Sequence, residues 1–207
     1  MTFPAPPGNP PAQPPAQPPA TPPDPADDRA QDRGEWLYRQ LLDRRIVLAQ
    51  GRLDDQRATA LCAQLLTLDA EGDEPNQLHL HTPDGELGAA LTVLDALDVL
   101  RVPVHATAVG AVGGPCLAVL AAAEERLAYP HASFHLTEPR TKAEGSASEV
   151  AAHEAQHRRL ADDLFARLAE VTGRTVEQVR ADARTGRYLN ADEAVGYGLV
   201  QRVVRRA

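Results

Sequence analysis

His153, Glu154 and His157 stand in the run HEAQH. Two histidines at this spacing lie one turn apart on a helix, so both can offer a ring nitrogen to one metal ion. A glutamate beside them can take the proton of a metal-bound water, which is the chemistry of zinc-dependent peptide hydrolysis. Glu177 follows at a spacing that a third ligand could use. Whether such a site is built depends on the elements that carry these residues.

HEAQH falls inside a segment predicted to be one long helix from about Ala147 to Val171. On that helix Val150, His153, His157, Leu160, Leu164 and Leu168 form one stripe, so the histidines interrupt an apolar face. The pattern fixes few positions, and chance matches to it are common. Upstream, apolar spacing predicts a short helix in GEWLYRQLLDRR and a strand in RIVLAQ. A helix over 54–71, a strand over 77–82 and a turn and helix over 83–100 follow. VPVHATAVG reads as a strand, GPCLAVLAAAEERL as a buried helix and HASFHLT as another strand. Beyond the long helix come short helices in TVEQVRADAR and NADEAVGYG, the second with Asn190 as N-cap, and a closing strand in LVQRVV. Strand–helix alternation with short connections specifies a layered α/β fold.

The chain of 207 residues carries a net charge of −8, which argues against nucleic acid or an anionic membrane as partner. No apolar run reaches the roughly 20 residues of a membrane span, and no secretory leader is legible. Cys62 and Cys116 imply no disulfide framework. These features predict a cytoplasmic protein, and no cofactor site is legible. Residues 1–25 hold 12 of the 18 prolines, so 1–31 is expected to be a disordered tail and 32–207 the folded domain.

Six collinear stretches, covering about residues 35–204, resemble the ClpP peptidase family. YRQLLDRRIVLAQGRLDD is similar to its first helix, strand and turn, and LHLHTPDGELGAAL to its strand, N-S-P-G-G turn and helix. VHATAVGAVGGPCLAVLAAA resembles the strand and the nucleophile-bearing helix. YPHASFHLTEP is similar to the strand ending in H-Q-P, EGSASEV to the entry of the family's handle helix, and RYLNADEAVGYGLVQRVV to the C-terminal segment. The resemblance implies repeated ββα units of the ClpP/crotonase type with a protruding handle helix. It also implies heptameric rings, stacked in pairs, in which serine, histidine and aspartate hydrolyse peptide bonds.

Carried across by position, the serine falls on Gly114, the histidine on Thr137 and the aspartate on Gly186. None of these side chains can act as nucleophile, base or orienting carboxylate. The family's oxyanion donors come from the residue after the serine and from the P-G-G turn. Here the first is Pro115, which lacks an N–H, and the turn reads PDG with Asp84 and Gly85. The resemblance therefore implies a pseudo-peptidase subunit of a Clp proteolytic complex. Two active alternatives stand beside it: a relocated pair of Cys116 as nucleophile and His135 as base, and the zinc site of His153, Glu154 and His157. Two helical steps turn Cys116 by roughly 200° from the original direction, which counts against the first. A third reading, small-molecule chemistry on the related crotonase scaffold, meets the same obstacles at Pro115 and Asp84.

Partners follow from the resemblance too. The expected partner is the chain itself in a ring, with an active ClpP paralogue as a further candidate. The family's Arg–Asp pair that couples two rings corresponds to Thr185–Gly186, so a second ring is the less expected state. Unfoldase docking is in doubt, because Gln77 and His79 replace apolar pocket residues and the Pro-rich tail replaces the axial loops.

Overall fold

One strand, β3 (Val104–Gly113), organises the sheet. Its first half pairs in parallel with β2 (Asn76–Thr82) on one side and β4 (Glu125–Ala128) on the other. Its last residues, Ala111–Gly113, leave that neighbour and pair with Ser133–His135 of β5 (Ser133–Leu136). A register shift between Leu80 and Thr82 of β2 accompanies the change. The computed structural model describes residues 36–205. Residues 38–205 belong to one compact unit. The expected tail over 1–31 and the expected domain start lie outside the described residues.

Residues 36–42 are helical (α1). Beyond it, β1 (Ile46–Gln50) pairs with β2, and β7 (Arg202–Val203) closes the far side on β4, giving the order β1-β2-β3-β4-β7. All of these pairings are parallel, while β5 pairs antiparallel with β6 (Arg187–Asn190) as a branch. Helices α2 (Asp55–Glu71), α3 (Leu87–Val99) and α4 (Cys116–Ala121) connect the early strands. Asp54 caps α2 by accepting from the Arg57 N–H. Buried Leu61, Leu65, Val93, Leu94, Leu117 and Leu120 join the strand residues Val47, Leu78, Val112 and Phe134 in one core. Helix and strand periodicity thus converge on the α/β architecture read from sequence.

The long helix α5 (Ala147–Thr172) opens on a capping box of Ser146 and Glu149. It buries Ala161, Leu164, Phe165, Leu168 and Ala169, whereas none of residues 147–159 is buried. The half that carries HEAQH therefore stands clear of this chain's core. Helices α6 (Val176–Arg184) and α7 (Ala191–Tyr197) follow, each with a capping box, at Thr175 and Asn190. No helix among the described residues is long and apolar enough to cross a membrane.

Two strands differ from the sequence expectation. EERL reads as the end of the Ala-rich helix, but the helix stops at Ala121 and Glu125–Ala128 is β4. Its backbone fills the slot between β3 and β7, and that tertiary demand overrides helix propensity. β6 is too short to show a period, and it exists because β5 offers it an open edge.

Candidate active site

The branch in β3 gathers the aligned positions. Gly114 follows the end of β3, Thr137 follows β5, and Gly186 precedes β6, the partner of β5. Gly114 donates its backbone N–H to the His135 carbonyl at 2.9 Å. A Cβ built on Gly114 would lie 3.4 Å from Thr137 Cγ2 and 3.3 Å from Asp84 Oδ1. Gly114 and Thr137 are therefore neighbours, with the PDG turn beside them. A Cβ on Gly186 would lie 3.6 Å from His135 Nε2 and not against Thr137.

Two of the aligned positions have a backbone conformation that suits glycine. Gly114 has φ +54° and Gly186 φ +66°, in the left-handed region that glycine enters without penalty. A side chain there costs roughly 1–2 kcal/mol.

Asp84 is the most connected charge at the site. Its Oδ1 accepts the Gly85 N–H at 2.9 Å. Its Oδ2 accepts from Arg52 Nη1 and from Arg140 Nη2, both at 2.8 Å. Arg52 also approaches Glu86 at 3.6 Å. The Gly85 N–H thus already holds a carboxylate. Pro115 begins the turn into α4 and has no N–H to give. Sequence reasoning named Asp84 but missed Arg52 and Arg140, which come from segments far away in the chain and carry no local motif.

Cys116 is fully buried. Its Sγ would lie 2.7 Å from a Cβ on Gly85, so it packs beneath the PDG turn, where glycine admits the close approach. Burial pushes the thiol up to about 11, and the nearby Asp84 charge adds to the rise. His135 is engaged elsewhere: its ring stacks on Tyr188, with centroids 3.9 Å apart and planes 6° from parallel.

In the HEAQH segment, His157 Nε2 lies 3.2 Å from the Pro139 carbonyl and His153 Nδ1 lies 3.5 Å from Thr141 Oγ1. Both contacts tie α5 to the loop that follows β5. Glu154 is exposed, and Glu177 lies in the first turn of α6. Among the described residues no group of three or more His, Cys, Asp or Glu is arranged to hold a metal ion.

On β2, Gln77 is exposed and His79 is half-buried, its ring edge-on to Tyr129 with centroids 6.5 Å apart. Burial lowers the His79 pKa. Tyr129, an exposed aromatic that sequence reasoning did not single out, gives this surface an apolar component.

Below the site, Asp182 of α6 accepts from Tyr197 Oη and Arg187 Nη1, at 2.8 and 2.9 Å. Arg174 lies over the Tyr197 ring, 4.0 Å from its centroid. This cluster ties α6, β6 and α7 together and so holds Gly186 in place.

The model of the Clp protease family matches residues 29–207. The chain is similar to the ATP-dependent Clp protease proteolytic subunit 2 of Rhodococcus jostii (strain RHA1). The two are 33% identical over 174 residues, spanning 83% of this chain and 89% of that protein.

Proposed function

The chain belongs to the Clp protease family, and from that premise we propose that it is a non-catalytic subunit of a Clp proteolytic assembly. Family proteins of this kind form rings and associate in Clp complexes. This subunit contributes walls and contacts to such a ring and leaves hydrolysis to another subunit. The observation that carries the proposal is the meeting of Gly114 and Thr137. Their separation puts nucleophile and base positions side by side, and neither residue bears a group that can attack a carbonyl or take a proton.

The surroundings support the same reading. Pro115 offers no N–H, and the Gly85 N–H is taken by Asp84, so charge developing on a substrate carbonyl oxygen would meet a carboxylate. Against the relocated dyad, Cys116 packs beneath Gly85 as a buried thiol while His135 stacks on Tyr188. Against zinc chemistry, His153 and His157 anchor the loop after β5.

The exposed first half of α5 is the surface proposed for assembly, as a handle between subunits. The proposed partners are further copies of this chain and an active family member. The test is co-expression with active Clp subunits, followed by native mass measurement and peptidase assay of the complexes. Mixed rings whose activity scales with the active subunits support the proposal. A chain that stays monomeric and joins no Clp subunit refutes the scaffolding role.

A further inference from the structure

A cavity of about 320 Å³ lies where Tyr38 of α1, the edge strand β1 and α2 meet. None of Gly114, Thr137 and Gly186 lines it. Its apolar walls are Leu48, Ala49, Leu53 and Leu61, and Thr82, Gln64 and Arg57 add polar groups. Thr82 is 2% exposed, and its Oγ1 has no hydrogen-bond partner among the described residues. The same is true of the buried Oε1 of Gln64. Polar atoms removed from water are nearly always paired, so two such atoms on one cavity give it unspent hydrogen-bonding capacity. Arg57 supplies a cation from an exposed position. Its Nη1 donates to the carbonyls of Gln50 and Arg52, at 3.3 and 2.8 Å, and neither contact neutralises its charge.

These groups are spread along the cavity in a fixed order. Arg57 and Gln64 stand two turns apart on α2, so they share one side of the helix about 10 Å from each other. Ala60 and Leu61 lie between them. Thr82 follows the Gln50–His81 pair of β1 and β2, and Gln50 is the residue that Arg57 touches, so Thr82 belongs to the Arg57 end. We propose that this cavity binds a small hydroxy acid, a carboxylate and a hydroxyl separated by an apolar body. The carboxylate accepts from Arg57 and from the Thr82 hydroxyl. The apolar body packs on Leu48, Leu53 and Leu61. The hydroxyl at the far end donates to Gln64 Oε1. The site binds without chemistry, so it stands whether or not the chain cuts peptides.

The test is isothermal titration calorimetry of the full-length protein with para-hydroxyphenylpropionate, whose rigid ring holds the two polar ends apart at little entropic cost. Phenylpropionate lacks the hydroxyl, and the primary amide of the probe lacks the charge. Each should bind about tenfold more weakly than the probe. Gln64→Leu should bring the probe down to the affinity of phenylpropionate and leave phenylpropionate itself unchanged. Arg57→Gln should erase the difference between the probe and its amide. That variant also releases the turn carbonyls of Gln50 and Arg52. If circular dichroism shows it unfolded, Thr82→Val carries the comparison at the same end, and should weaken the probe more than its amide. No saturable binding of the probe, or affinities that these variants leave unchanged, overturns the inference.

Discussion

Gly114 faces Thr137 across the gap where β3 and β5 end, a Cβ on the glycine falling 3.4 Å from the threonine methyl. On the reading proposed here these are the aligned nucleophile and base positions, and neither side chain can attack a carbonyl or take a proton.

Putting back the three side chains should not restore a working peptidase. In Gly114→Ser/Thr137→His/Gly186→Asp the serine enters a left-handed backbone position. The new aspartate meets His135 Nε2 before it meets residue 137. The oxyanion donors remain absent or occupied, which alone typically costs about 10²–10³ in rate. Adding Pro115→Met and Asp84→Gly should raise hydrolysis of a fluorogenic peptide by about that factor over the triple variant. Equal rates with and without the two added changes would show that the oxyanion account is mistaken.

Cys116 should behave as an inert thiol. Its burial and raised pKa keep it protonated far above neutrality. At pH 8, iodoacetamide followed by peptide mass spectrometry should find half-buried Cys62 alkylated well before Cys116. Labelling of Cys116 at the rate of a free thiol would revive the relocated dyad.

Asp182 makes stability fall in acid. Burial alone would raise its pKa, but the hydrogen bonds from Tyr197 and Arg187 and their charge environment outweigh that and lower it. A carboxyl depressed in the folded state contributes stability above its unfolded value of about 4. That contribution is lost as pH falls through the depressed folded value. Asp182→Asn should cost about 1–2 kcal/mol at pH 7, with the gap to the parent closing under strong acid. Denaturant titrations at pH 7 and in acid measure both, and a gap independent of pH would mean that the carboxylate charge is not what matters.

Much of this was legible beforehand, for local reasons. The long helix begins at Ala147 because Ser146 and Glu149 cap it, and α7 begins after Asn190 for the same reason. Such signals lie within a few residues and survive in one sequence. What escaped notice depends on distance. Glu125–Ala128 is a strand only because β3 and β7 flank it. The clamp on Asp84 joins residues 32 and 56 positions away. Tyr188 covers His135 only because β5 and β6 pair in one register. Gly114, Thr137 and Gly186 can be named from collinear motifs, but where they lie relative to one another depends on the branch of β3.

The central claim is that this chain does not cut peptide bonds by itself. The most direct measurement is hydrolysis of fluorogenic peptides by the purified protein, its native mass checked to exclude co-purifying Clp subunits. The proposed non-catalytic role predicts a rate indistinguishable from buffer across pH 6–9. Turnover that follows the protein through repeated purification, and vanishes in Cys116→Ala or in His153→Ala/His157→Ala, would contradict it.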